Sequence, residues 1–192
     1  GSVVSEERIA NLAKARNKAI EANDMYKEAD YVLFVDCDIM YDSNFVPQLL
    51  DFEAFGIKSP DMYSGVSLVP YLSTDYNVPK FVHFSKEVGG KSIDRWRVYD
   101  TWSMRRNANE EWGTWKDDAS TNIVSKFYAT FNSACLINAE PFKQGIRYHH
   151  YNERLGKFDL CHAVLAEKFH KAGYDEIYVC LLYTSDAADD TP

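Results

Sequence analysis

The sequence predicts an α/β fold with a mostly parallel central sheet, on three observations. An amphipathic helical stretch, Ser5–Ala22, precedes a short apolar strand, Tyr31–Val35. That strand runs into Asp36-Cys37-Asp38 and then into a second helical segment, Ser43–Phe55. Helix, strand, acidic loop, helix is the order that builds parallel sheets. Ligands bind beyond the carboxyl ends of such strands, so Asp36 and Asp38 are expected in a cleft at the end of a parallel central strand.

Each element has a local reason. Ser5 is placed to cap the first helix, with Glu6 and Glu7 in its first turn. Ile9, Leu12, Ala13, Arg16, Ala19 and Ile20 recur three and four apart and form its inward stripe. Arg16 sits on that stripe, and a buried guanidinium needs an anion, from a protein carboxylate or from a ligand. Pro47 is tolerated in the first turn of the second helix. Met62–Val69 and Val78–Phe84 read as strands, and Val88–Asp118, with Gly89, Gly90, Gly113 and many charges, reads as loop-rich. Phe127–Ile137 is mostly apolar, with a buried strand expected at Ala134–Ile137. Ala139–Gly145 makes a turn or short helix, and Phe158–Ala172 a helix stopped by Gly173. Ile177–Val179 begins another strand.

Composition narrows the function. At 192 residues the chain is one domain or a fragment of one. The net charge is −8, and no basic run exceeds the pair Arg105–Arg106, so binding nucleic acid by phosphate neutralisation is not expected. The longest clean apolar run, Tyr31–Val35, falls far short of the ~20 residues that span a bilayer, and no signal peptide opens the chain. Cys37, Cys135, Cys161 and Cys180 show no metal-knuckle spacing. The stretch Cys180–Asp190 resembles a translated sequencing-library adapter. A single domain is therefore expected over residues 1–179, truncated at its carboxyl end, with a non-native tail over 180–192.

Two carboxylates flanking one residue repel each other unless a cation or proton lies between them. Hard oxygen ligands at this spacing suit Mn²⁺ or Mg²⁺, which keep positions open for phosphate oxygens. Asp36 and Asp38 are the expected metal ligands. One family with an acidic pair after an apolar strand is the haloacid-dehalogenase-like phosphatases. It wants Thr or Val where this chain has Met40, and its later acidic pair after an apolar strand, whereas Asp117–Asp118 follow Trp115-Lys116.

More of the chain fits another family. Ala15-Arg16-Asn17 precedes Asp30-Tyr31-Val32-Leu33-Phe34-Val35-Asp36-Cys37-Asp38, and Tyr99-Asp100-Thr101-Trp102 follows. Next come Asn138-Ala139-Glu140-Pro141-Phe142, then Asp159 before a helix that ends in Gly173-Tyr174. In this order the blocks resemble the nucleotide-sugar half of GT-A-fold glycosyltransferases. The likeness is to fungal capsule-associated α-mannosyltransferases and the related Golgi mannan-synthesising enzymes, over roughly residues 8–179. It implies a Rossmann-like three-layer sandwich, a nucleotide-sugar donor such as GDP-mannose, a glycan acceptor, retention of configuration and a Golgi-lumenal setting.

The resemblance implies that Arg16 and Asn17 contact the nucleotide or diphosphate, as the stripe position of Arg16 agrees, with Asp36 on ribose or metal. Trp96, Trp102, Trp112 and Trp115 lie in one short stretch, and aromatic faces pack on sugar rings or fill a small core. Tyr99 and Trp102 are the expected acceptor contacts. Asp100 and Asp159 are the remaining catalytic carboxylates, although Asp159 also suits a helix cap. His149, His150 and His162 are alternatives for a third metal ligand. A catalytically silent sugar-binding or scaffolding subunit remains the alternative outside enzymes.

Overall fold

The computed structural model describes residues 5–36, 44–66, 68–70, 86–88, 91–93, 96–98, 102–110 and 124–180. The chain begins with α1 (Glu6–Glu21), α2 (Met25–Glu28), β1 (Tyr31–Val35) and α3 (Phe45–Leu50). Short strands follow: β2 (Met62–Ser64), β3 (Leu68–Pro70), β4 (Lys86–Val88), β5 (Lys91–Ile93), β6 (Trp96–Val98) and β7 (Val124–Lys126). The last part holds β8 (Ala134–Asn138), α4 (Glu140–Lys143), β9 (Tyr151–Asn152), β10 (Lys157–Phe158), α5 (Cys161–Lys171) and β11 (Ile177–Cys180).

Five strands form one mixed sheet in the order β1-β8-β2-β11-β7. Among the described residues only β2 and β11 pair in parallel, and β1–β8, β8–β2 and β11–β7 are antiparallel. The mostly parallel sheet expected from the sequence is therefore corrected. Alternating elements show that strands exist, but not the direction in which each enters. Here β8 threads between β1 and β2 against both, while β1, β2 and β11 point the same way. The Ala134–Ile137 strand does share the sheet with β1, as expected, with Leu33 opposite Leu136. Among the described residues β1 stands at one end of the order, beside an antiparallel neighbour, and not as a central parallel strand.

The strands alternate between two cores. Met62, Cys135, Ile137, Ile177 and Val179 face the core built with α1 (Ile9, Ala13, Ile20) and α5 (Ala163, Leu165, Ala166, Phe169). Tyr63, Ala134, Leu136 and Cys180 face the other, built with Phe45 and Leu49 of α3 and with Ile57. The period of two thus gives each central strand two buried faces. Truncating Ile137 to Ala, at a site with no exposure, is expected to cost about 2–5 kcal/mol.

Ser5 caps α1 as expected, its side chain accepting from the Arg8 N–H at 3.2 Å. The segment expected as one helix over Ser43–Phe55 is α3 followed by a 3-10 turn at Phe52–Phe55, because Asp51 leaves helical geometry at ψ 41°. The helix expected from Phe158 starts only at Cys161, since Phe158 is already paired with Tyr151 in the β9–β10 hairpin. Gly173 ends α5 at φ 88°, and the Tyr174 N–H donates to the Phe169 carbonyl at 2.9 Å. The stretch Met62–Val69, read as one strand, holds β2 and the start of β3, while β5 and β6 fall within Val88–Asp118, the region read as loop-rich, paired antiparallel with β4 and β3. Val78–Phe84 and residues 181–192 lie outside the described residues. β11 reaches Cys180, a buried residue opposite Val124 and the first residue of the expected tail.

Candidate functional site

The site is built where β1 ends. The Asp36 N–H donates to the Ser133 carbonyl at 2.7 Å, so the start of the acidic turn is tied to the residue just before β8. Ser133 adopts φ 62°, in the left-handed region that costs a residue with a Cβ. The polar stretch Thr130-Phe131-Asn132-Ser133 is wholly buried here, in a chain segment otherwise read as apolar.

Arg16 reaches this point from α1. Its position on the inward stripe carries the guanidinium off the apolar core toward the strand end, where Nη2 lies 3.8 Å from Asp36 Oδ1. Its Nη1 donates to Cys161 Sγ at 2.8 Å, at the first residue of α5. Phe131 and Tyr148 flank the guanidinium, with ring centroids at 5.4 and 5.7 Å. The Arg16 side chain is 15% exposed and that of Asp36 33%, so both keep a face toward solvent. The anion anticipated for Arg16 is thus in part the protein's own carboxylate.

Behind Arg16 stands a buried aromatic wall. His162 stacks on Phe131 with centroids 3.5 Å apart and planes 10° from parallel. Its Nδ1 lies 3.3 Å from the Tyr148 hydroxyl, and its Nε2 has no hydrogen-bond partner among the described residues. Burial, and then the Arg16 charge, hold the His162 pKa well below the usual imidazole value, so the ring is neutral. Burial also raises the Cys161 thiol, against the opposing pull of Arg16.

Asn17 is committed to the fold. Its Nδ2 donates to the Tyr148 carbonyl at 3.0 Å, and its Oδ1 accepts the Tyr148 N–H at 2.9 Å. This reciprocal clamp places Tyr148 beside Arg16. Asp159 lies 4% exposed against Arg105, which is 1% exposed. Trp102 is 42% exposed, three residues before Arg105. Asp38, Tyr99 and Asp100 fall outside the described residues.

Asp36 offers carboxylate oxygens with partial solvent access, the hard donors that Mn²⁺ and Mg²⁺ prefer. Among the described residues no three His, Cys, Asp or Glu side chains gather into a metal site. His150 faces Glu6 at 3.6 Å and stacks on His149. Glu6 is ten residues before Arg16, about 15 Å along the helix axis, so those two imidazoles belong to another part of the surface. Asp36 is the one expected metal ligand among the described residues; Asp38 lies outside them.

Sequence reasoning did not find Phe131, Ser133, Tyr148, Cys161 or Arg105. A polar interruption at Thr130, Asn132 and Ser133 within an apolar run was the one available signal. No protein-family model matches the chain, and no curated protein matches it significantly. Among the described residues no helix is long and apolar enough to cross a membrane.

Proposed function

We propose that the protein is a metal-dependent glycosyltransferase of the GT-A type, moving a sugar from a nucleotide-sugar donor to a glycan acceptor. The observation that carries this reading is the open Arg16–Asp36 pair at the carboxyl end of β1. A cation and an anionic oxygen donor side by side, each partly accessible, suit a ligand that is itself a metal diphosphate. The three-layer GT-A arrangement is part of the same proposal, supported by cores on both faces of the sheet.

In this reading Asp36 and Asp38 hold Mn²⁺ or Mg²⁺, which when bound offsets charge on the departing diphosphate. Arg16 turns its solvent-side N–H groups to a phosphate oxygen, while Cys161, Phe131 and Tyr148 fix its direction. Asn17 acts by setting Tyr148 in place. Trp102 and Tyr99 present ring faces to the acceptor sugar. Asp100 supplies the carboxylate beside the positive charge that develops at the sugar carbon, consistent with retention.

The test is transfer from GDP-mannose to a mannoside acceptor, with Mn²⁺ and with EDTA. The proposal expects transfer only with metal. Hydrolysis of a phosphate monoester with no sugar transfer would point to the phosphatase alternative. Metal-dependent nucleotide binding without transfer would point to a silent subunit.

A further inference from the structure

Asp159 was expected from the sequence to be a catalytic carboxylate. Its surroundings say otherwise. Arg105 Nη1 donates to Oδ2 at 2.7 Å, and Arg105 Nη2 donates to Oδ1. Asn152 Nδ2 also donates to Oδ2, at 3.2 Å, and the Leu160 N–H to Oδ1, at 2.8 Å. An ionised carboxylate has about four lone-pair sites in all, and here four donors take them. None remains to attack a sugar carbon or accept a proton.

These bonds join two parts of the proposed site. Arg105 lies three residues after Trp102, and its backbone pairs with Ala129: its N–H donates to the Ala129 carbonyl at 2.9 Å, and its carbonyl accepts from Ala129 at 3.2 Å. Next to it, the Met104 sulfur accepts from Asn132 Nδ2 at 3.6 Å. On the other side, Asp159 is two residues before Cys161, which accepts from Arg16, and three before His162, which stacks on Phe131. One short stretch, residues 159–162, therefore holds the Arg16 side and the Trp102 side together.

We propose that Asp159 and Arg105 are positioning residues: a saturated buried strut that sets the Trp102 loop against the start of α5 and so shapes acceptor binding. The inference rests on the glycosyltransferase reading for its kinetic consequence, but the anchoring itself does not. Removing one partner alone strands a buried charge, so a single variant risks unfolding. The informative protein is the full chain carrying Arg105→Met with Asp159→Leu, an apolar replacement of the whole pair. Buried ion pairs replaced in this way commonly keep their stability.

Two readouts are taken on wild type and double variant. Hydrogen exchange follows the amides of residues 102–110 against those of α1. Kinetics use GDP-mannose with Mn²⁺ and methyl α-mannoside as the acceptor probe. The strut predicts exchange at least tenfold faster in 102–110 with α1 unchanged, an acceptor KM raised at least fivefold, and a kcat lowered less than tenfold. A kcat lowered a thousandfold at unchanged acceptor KM would make Asp159 catalytic and overturn the proposal. Unchanged exchange in 102–110 would overturn the anchoring. Should the wild type transfer nothing, the glycosyltransferase reading fails, and exchange alone judges the strut.

Discussion

Among the described residues, two arginine–aspartate pairs of the same chemistry lie in opposite settings. Arg16–Asp36 is separated by 3.8 Å and partly open to solvent, with a thiol and two ring faces holding the guanidinium. Arg105–Asp159 is doubly bonded, almost fully buried, and completed by Asn152 and Leu160. The open pair is partly accessible to solvent, whereas the carboxylate of the closed pair is buried and takes four donors. Residue type alone does not separate the two settings; burial does.

The largest effect on stability is expected at the closed pair. Arg105→Met alone leaves the Asp159 carboxylate buried without its cation, at a cost of about 3–5 kcal/mol. In a domain of this size that is a melting-temperature loss of roughly 10 °C, which calorimetry will read. At the open site the balance reverses. Asp38→Ala is expected to slow metal-dependent transfer by about a hundredfold, the equivalent of ~3 kcal/mol of transition-state stabilisation, with the melting temperature within a few degrees of wild type.

A smaller effect separates the aromatic wall from both pairs. His162 is buried neutral, so its folded pKa lies below the unfolded value of about 6.5. The unfolded chain therefore binds the proton first, and stability falls as pH drops below about 6.5, by up to ~1.4 kcal/mol per pH unit from this residue. Urea denaturation at pH 7 and pH 5 should show that loss in wild type and a shallower one in His162→Phe. The smallest effect is expected at the end of the chain: deleting Ser185–Pro192 should leave the melting temperature unchanged, and a large loss would mean that the tail is native.

Much of this comparison was legible in one half only. The Arg16 stripe position, the Tyr31–Val35 strand and the acidic turn after it can be read because helix period and apolar runs are local signals. Direction of β8 cannot, since pairing partners far apart in sequence set it. The buried role of Asp159 was hidden for the same reason: its cation lies 54 positions away, and in the sequence Arg105 is only half of the basic pair Arg105–Arg106. Asn17 looked like a ligand contact, but its amide closes on Tyr148, 131 positions on. Short helices such as α3 broke where Asp51 turned the backbone, a detail that a period of 3.6 does not carry.

The most direct measurement is calorimetric titration of GDP with Mn²⁺ into wild type, Arg16→Ala and the Arg105→Met/Asp159→Leu double variant, each first shown folded by its thermal transition. Binding at least tenfold weaker is expected in Arg16→Ala, with a melting-temperature loss of no more than a few degrees, and affinity within twofold of wild type in the double variant. Equal affinity in wild type and Arg16→Ala, or a loss confined to the double variant, would contradict that expectation.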